Sequence, residues 1–298
     1  MRPWHTTSGI AAVLVFATLA ACGDHGRADE LVTAGKVASN HLASYYDHLG
    51  TTTMDWWAYQ TTYNTLQDIT TTQELDHATT DRLAALRARA TMAARLADFY
   101  DTISQLRNPK NKQPTVTAAQ NLGKALSSVP KLPGGTNLAS GIGQAADFLM
   151  GLKRDRDFAT TNKAVTDAVT HVRDLFSKEH DTYEAFIHDR NKTRQALLQS
   201  LARKNIVNTN PLLERLRLGV TWTSTDPATT RDLALNIDAI TSQRAEAAWN
   251  CATDETLTTL NLLVAAHEQF INSAIPAPAP LERATARATA CLTEGAQQ

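Results

Sequence analysis

Apolar residues recur at heptad spacing along 158–205, a stretch that contains neither Pro nor Gly. These positions are Val165, Val169, Val172, Phe176, Tyr183, Phe186 and Leu197. The spacing is typical of a helix that packs lengthwise against another helix. At about 1.5 Å per residue the stretch would be a rod of roughly 70 Å, whereas a compact globule of this chain length would measure roughly 48 Å across. The pattern therefore predicts an elongated body.

A second long helix is predicted at about 228–273. Asp226-Pro227 provides its start signal, because proline is favoured at the first helical position. We expect an inward stripe of Leu233, Ile237, Ile240, Ala247, Cys251, Leu260, Val264 and Ile271. This helix and a first one at about 155–206 are predicted to form an antiparallel pair.

Shorter helices are predicted to cover this pair from the N-terminal side. One runs over about 29–49 and ends at Gly50, which has the position of a C-cap. A second covers about 54–69, and a third begins with a capping box at Thr71 and ends near Arg107. The prediction is an all-α fold, with residues 29–298 forming a single elongated helical bundle.

In the remaining segments the predicted helices are shorter and are interrupted by Pro and Gly. Residues 115–152 read as two shorter segments separated by a Pro- and Gly-rich turn. Pro276, Pro278 and Pro280 predict a stiff extended spacer, followed by a final helix over about 282–292.

The N-terminal residues have the features of a secretory targeting signal. Residues 1–21 have a basic start and an apolar run that is too short to span a membrane. The run ends in Leu19-Ala20-Ala21-Cys22, which resembles the lipobox of bacterial lipoproteins. The resemblance implies cleavage before Cys22 and acylation of that cysteine, and residues 22–28 would then form a short polar tether. The alternative is an ordinary cleaved signal with a chance cysteine.

The resemblance also implies a membrane. Gly23, rather than Asp, follows the cysteine, which favours the periplasmic face of the outer membrane over inner-membrane retention. Several acyl chains give stable anchoring where one would not. The lipid bilayer is therefore the first expected partner, reached through Cys22.

Charge gives no indication of a polyanionic ligand. The formal net charge is −1 and the pI is about 6.8, so no nucleic-acid partner is inferred. Basic residues are concentrated between Arg82 and Lys112, and acidic residues between Asp226 and Glu268. The two stretches are interpreted as solvated faces of helices that could be neighbours in the bundle. The alternative is that the basic stretch contacts lipid head groups or cell-wall polymer.

The other two cysteines are predicted to pair. The lengths of the helix after Cys251, the spacer and the last helix bring Cys291 back to the level of Cys251. An oxidising periplasm would permit this disulfide. No Cys-x-x-Cys spacing is present, so we expect a structural bond, with two free thiols as the alternative.

Signals for catalysis are weak. His180, Glu184 and His188 are spaced by four residues and are metal-ligand candidates, but the heptad register turns them away from the packing face. A solvated polar face is the favoured interpretation. No nucleophile elbow, P-loop or dinucleotide fingerprint occurs. We therefore predict no catalytic residue, no metal, no cofactor and no small-molecule substrate.

The segment 132–152 is the candidate for membrane or protein contact. Asp147 is its only charged residue, and its helical part is shorter than a bilayer core. A buried hairpin is the favoured interpretation, with interfacial insertion or docking as alternatives. The residues that would make such contacts are Leu132, Leu138, Ile142, Phe148, Leu149 and Leu152.

An aromatic cluster allows two interpretations of its own. It is a core plug or an interfacial belt, formed by Trp56, Trp57, Tyr59 and Tyr63.

The sequence as a whole favours a non-enzymatic, membrane-anchored interaction protein of the envelope, with a scaffold, regulatory or immunity role and a protein partner. The alternatives are a membrane-active protein that inserts 132–152 and a helical-bundle metal protein or enzyme.

Overall fold

The structure is a computed structural model that describes the backbone of residues 10–70, 73–103, 112–133, 158–204, 226–271 and 278–297. Side chains are described for most of these residues from Asp29 onward. Across the ranges searched, no helix has both the length and the apolar content needed to cross a bilayer.

These ranges are almost entirely helical. The helices are α1 (Ile10–Leu66), α2 (Gln73–Ile103), α3 (Lys112–Ser127), α4 (Phe158–Arg203), α5 (Pro227–Ile271) and α6 (Pro278–Gln297). The all-α prediction is confirmed, and the two long helices of the C-terminal half lie within about three residues of their predicted bounds.

Side-chain contacts fix the directions of α4 and α5. His180 Nε2 lies 2.9 Å from Asp254 Oδ1, and Arg194 Nη2 lies 3.0 Å from Asp238 Oδ1. Residue numbers rise along α4 as they fall along α5, so the two helices are antiparallel as predicted. Both exceed 40 residues, and α4 alone is about 69 Å long at 1.5 Å per residue.

The first two helices complete an up-down-up-down bundle with α4 and α5. Lys36 of α1 pairs with Asp101 of α2 at 2.5 Å, and Trp57 of α1 donates to Asp76 of α2 at 2.9 Å, so these helices are antiparallel. The hydroxyls of Tyr46 and Tyr183, in α1 and α4, lie 3.4 Å apart. Further along both helices, Gln67 Nε2 donates to Ser200 Oγ at 2.7 Å, so α1 and α4 are parallel.

The shorter helices pack on the outside of this bundle. The α3 helix lies against α2, where the Thr115 hydroxyl donates to the Thr102 carbonyl at 3.1 Å. The α6 helix packs on α5 and α1 and is joined to α5 by the Cys251–Cys291 disulfide, with a Cα–Cα distance of 5.8 Å.

The core is aromatic at the middle of the bundle. Ring centroids 5.1 to 6.3 Å apart link Tyr45, Tyr46, Phe176, Tyr183 and Trp249, all at most 1% exposed. Edge-to-face and tilted contacts at these distances are favourable. The predicted heptad positions of α4 all face this core or its continuation, with exposures of 9% or less.

The prediction that a helix ends at Gly50 is wrong, because α1 continues to Leu66. Thr52 and Thr53 are buried after the glycine, and the Thr53 hydroxyl donates to the Leu49 carbonyl at 2.9 Å. Packing of this turn outweighs the modest helix penalty of one glycine.

The helix instead ends in a Schellman-type motif. The Ile69 N–H donates to the Asn64 carbonyl at 2.9 Å and the Asp68 N–H to the Thr65 carbonyl at 3.3 Å. Asp68 has φ 55°, the left-handed conformation that glycine usually supplies at this position. Thus the signal that ends the helix is an aspartate rather than Gly50.

The inward stripe predicted for α5 is wrong at two positions. Ile240 is 44% exposed and Ala247 is exposed, whereas Trp249 is 1% exposed. The buried stripe relies on small and hydroxyl side chains. The buried residues of α5 are Ala234, Ile237, Asp238, Thr241, Ala245, Ala248, Trp249, Ala252, Thr253, Thr256, Thr259, Leu260, Leu263, Val264, Ala266 and His267.

The predicted proline spacer is also wrong in its second half. Pro278 and Pro280 belong to the first turn of α6, where proline is tolerated because the first N–H groups of a helix have no intrahelical partner. Pro276 lies outside the described residues, as does Thr71.

The two oppositely charged stretches were interpreted as solvated helix faces, but Arg89 and Asp238 within them are buried in ion pairs with α4. Among the ion pairs of the described residues, Arg89 binds Glu179 of α4, while Asp238 and Asp254 of α5 also bind partners on α4. The bundle does bring α2 and α5 together, through Tyr100 and His267.

Candidate functional site

The proposed anchor residue lies within α1. Cys22 falls between Ile10 and Leu66 in one uninterrupted helix, and residues 23–28 are helical as well. From Asp29 onward the same helix packs against α2, α4, α5 and α6. The residue expected to carry acyl chains is therefore joined to the core by helix rather than by an extended tether.

The Cys251–Cys291 disulfide is present in the structure and closes a sequence separation of 40 residues. Both cysteines are partly buried, and Cys291 packs against the hydrophobic core. Close by, Arg287 of α6 pairs with Glu255 of α5 at 3.1 Å. The arrangement fits a bond that holds α6 in place.

Leu132 is corrected as a contact residue, because it is 0% exposed and belongs to the core. Just before it, the Pro130 carbonyl accepts a hydrogen bond from Arg89 Nη1 at 3.1 Å. The turn is thereby fixed against the bundle. The other proposed contact residues lie outside the described residues: Leu138, Ile142, Phe148, Leu149 and Leu152.

The three metal-ligand candidates, for which a solvated polar face was the favoured interpretation, do not all come together. His188 is 63% exposed and lies 3.3 Å from Glu246, away from the other two. The group that does converge is His180, Asp181 and Glu184, whose ligand atoms lie within 4.8 Å of one another. Asp181 is fully exposed.

An ion-pair interpretation accounts for this group. His180 Nε2 lies 2.9 Å from Asp254 and its Nδ1 3.2 Å from Asp181. Partial burial disfavours the imidazolium, but these carboxylates outweigh it and raise the pKa of His180. Both ring nitrogens of His180 thus lie within hydrogen-bond distance of a carboxylate oxygen, so the geometry is that of an ion-pair cluster.

A charged network that the sequence reasoning missed lies at the centre of the bundle. Arg89 and Glu179 form a two-pronged ion pair, with N–O distances of 2.5 and 2.8 Å, and both side chains are 0% exposed. Arg89 also donates to the Ala85 and Pro130 carbonyls. The Tyr183 hydroxyl donates to Glu179 Oε2 at 2.6 Å, and burial raises the pKa of this tyrosine.

A sequence signal for this network does exist. Glu179 stands seven residues after Val172 and seven before Phe186, in the core position of the α4 heptad. Arg89 stands seven residues before Leu96, on the apolar stripe of α2. A charged residue at a core position on each of two helices predicts a buried pair, since a lone buried charge is prohibitively costly.

Two histidines join helices inside the core. His41 Nε2 lies 2.8 Å from the Thr256 hydroxyl of α5, and its Nδ1 lies 3.1 Å from the Thr289 hydroxyl of α6. His267 Nε2 lies 2.5 Å from the Tyr100 hydroxyl. Burial lowers the pKa of His41 to about 4 and that of His267 to about 3, so both are neutral at pH 7.

A second group of charges, here called the polar layer, comprises Asp55, Arg190, Asn191, Arg194 and Asp238. It joins α1, α4 and α5 at the end of the bundle farthest from Cys22. Arg190 lies 4.0 Å from Asp55 and donates to Asn191 Oδ1, while Arg194 binds Asp238 at 3.0 Å. Burial raises the pKa of Asp55 despite both arginines.

The region around the polar layer, here called the distal end, comprises residues 54–69, 73–84, 190–203 and 228–242. No residue of 54–69 is buried, in contrast to the many buried positions of 31–53. The aromatic cluster lies here and is neither a core plug nor fully exposed. Trp56 stacks on the Arg82 guanidinium at 4.9 Å, and Trp57 Nε1 donates to Asp76 at 2.9 Å.

Exposed apolar side chains also concentrate at the distal end. Met54, Ile69 and Ile240 are 45%, 52% and 44% exposed. Of the large hydrophobic residues exposed in the described ranges, only Val37, at 53%, lies nearer to Cys22. Exposed apolar groups together with partly exposed Trp and Tyr are typical of protein-contact surfaces.

Comparison with known proteins adds no further constraint on this site, since no protein-family model, curated protein or solved structure matches the chain.

Proposed function

We propose that the protein is a lipid-anchored, non-enzymatic interaction protein of the bacterial envelope. The anchor is Cys22, the membrane is the outer membrane at its periplasmic face, and the partner is another protein that binds the distal end. The observation that carries the proposal is the continuity of α1, which joins Cys22 to the core without a break.

The helix gives the proposed anchor and contact surface a defined separation. From Cys22 to Leu66 the axial rise is about 66 Å at 1.5 Å per residue. The distal end is thus the part of α1 most remote from the acylated residue. Its exposed Met54, Ile69 and Ile240 supply apolar contact area, and its partly exposed Trp and Tyr side chains supply the residue types that dominate binding energy at interfaces.

Photo-cross-linking in the native envelope tests the contact surface. A photoreactive amino acid is placed at Ile69, at Ile240 or, as the matched control, at Val37, which is exposed to the same degree as Ile69. The expected result is a discrete protein adduct at Ile69 or Ile240 and none at Val37. Equal capture at all three positions, or capture of lipid alone, would contradict the proposal.

Metabolic labelling with a radioactive fatty acid tests the anchor separately. The natural chain should incorporate label and fractionate with the outer membrane, whereas Cys22→Ser should remain unlabelled and be released with the periplasmic contents. Cys251→Ser/Cys291→Ser should keep the label, because these residues lie in the folded body. Labelling of Cys22→Ser would show that the lipobox interpretation is wrong.

A further inference from the structure

The distal end contains buried polar atoms that the fold does not satisfy. Thr61 Oγ1, Arg82 Nη1, Asn191 Nδ2 and Arg194 Nε are all buried and lack a hydrogen-bond partner. Asn191 as a whole is 4% exposed. In the rest of the described chain, the unpartnered buried donors are Trp249 Nε1 and Thr259 Oγ1.

Unsatisfied donors weaken the packing of the helices that hold them. A buried donor without an acceptor has lost its hydration and gained no hydrogen bond in exchange. Local opening returns such groups to water, so the opening free energy falls where they are concentrated. In the distal end they accompany the charged side chains of the polar layer, which also regain hydration on opening.

At the middle of the bundle Trp249 Nε1 also lacks a partner, but the buried charges there are paired, so opening would restore less hydration than at the distal end. Arg89 has four hydrogen bonds to protein acceptors, and Glu179 accepts from both Arg89 and Tyr183. The Cys251–Cys291 bond holds α5 to α6 in the same half of the bundle as the aromatic core. The two halves therefore differ in how firmly their helices are held together.

We propose that the distal end opens as a local unit, in which residues 54–66 of α1 separate from α4 and α5 at the polar layer while the rest of the bundle stays folded. The opening transiently exposes the donors of Asn191 and Arg194 together with the faces of α1 and α4 that enclose them. The inference does not depend on the identity or existence of the protein partner proposed above.

Hydrogen exchange of the full mature chain, measured by mass spectrometry, tests the opening. Residues 190–199 of α4 and 258–267 of α5 lie at equal distances from the C-terminal ends of their helices, so end fraying affects both alike. Amides of 190–199 should exchange at least about tenfold faster than those of 258–267. Equal protection of the two segments would overturn the proposal.

A pair of matched variants tests the cause. Thr61→Val removes an unpartnered hydroxyl, whereas Thr53→Val, in the same helix, removes a buried hydroxyl that donates to the Leu49 carbonyl. Thr61→Val should slow exchange of 190–199 by about fivefold and leave 258–267 unchanged. Thr53→Val should not slow exchange. If both variants slow it equally, or if neither does, the unsatisfied donors are not the cause and the proposal fails.

Discussion

Arg89 and Glu179 occupy core positions where a helical bundle normally places apolar side chains. The pair persists because every charge has an opposite charge or a carbonyl within hydrogen-bond distance. Replacing such a pair with hydrophobic residues is often neutral or stabilising, so its stability contribution is small although removal of one member is severe. We infer that its role is to specify which faces of α2 and α4 meet.

The first prediction distinguishes the small net contribution of the pair from the large cost of removing one of its members. Arg89→Met should lower the free energy of unfolding by about 3–5 kcal/mol, because the Glu179 carboxylate is left buried without its cation. Arg89→Met/Glu179→Gln should cost about 2 kcal/mol less, because the buried group is then neutral and can still accept from Tyr183. Urea unfolding followed by circular dichroism measures both. An equal loss in the two variants would rule out the charge as the cause.

The second prediction concerns acid stability. Burial lowers the pKa of His41 to about 4 and that of His267 to about 3. On acidification these histidines are therefore protonated at a higher pH in the unfolded chain than in the folded chain. Their contribution to stability is complete above about pH 6.5 and is lost as pH falls toward the folded-state values. Between pH 6 and 5 each should cost about 1.2 kcal/mol.

His41→Asn checks this assignment. The slope of the variant over the same interval should be shallower than that of the natural chain by the contribution of one histidine, because His267 still contributes. His180 does not interfere, because its raised pKa places its own loss of stability above about pH 6.5. An unchanged slope would show that His41 is not neutral in the folded state. Unfolding free energies at pH 6.0, 5.5 and 5.0 decide the question.

At the scale of elements, periodicity predicted α4 well and α5 poorly. The inward face of α4 carries large apolar residues at regular spacing, so its register can be read from the sequence. The inward face of α5 carries Thr241, Thr253 and Thr256, whose hydroxyls donate to carbonyls of their own helix. A threonine satisfied in this way packs like an apolar residue, and hydrophobicity alone does not reveal it.

The polar layer could not be predicted from the sequence, for a different reason. Asp55, Arg190 and Asp238 come from three helices, and each is unremarkable in its own stretch of chain. Their juxtaposition depends on the register between α1, α4 and α5, which is set by packing over the whole bundle. The disulfide was predictable because it depended only on lengths along a single hairpin.

The third prediction concerns α6. Cys251→Ser/Cys291→Ser should lower the free energy of unfolding by about 3–4 kcal/mol in the chain-entropy model, given the loop that the bond closes. Treatment with a reductant should lower the stability of the natural chain to that of the variant and leave the variant unchanged. Denaturant titrations with and without reductant measure this. A variant as stable as the oxidised natural chain would mean that packing alone holds α6.

At the scale of the whole molecule, the helix lengths impose an elongated shape. The α4 helix alone needs about 69 Å. The fourth prediction is that small-angle X-ray scattering of residues 29–298 gives a maximum dimension of at least about 70 Å, well above the roughly 48 Å of a compact globule of about this length. A maximum dimension near the compact value would mean that α4 or α5 is broken in solution.

The uninterrupted α1 also has a mechanical consequence. If Cys22 is acylated as proposed, α1 would act as a stiff arm that pivots at the bilayer surface. Over the 66 Å or so to Leu66, a tilt of about 20° sweeps the distal end sideways by about 23 Å. One acylated cysteine would in this way let the distal end reach partners up to about 23 Å to either side while the molecule remains attached at a single point.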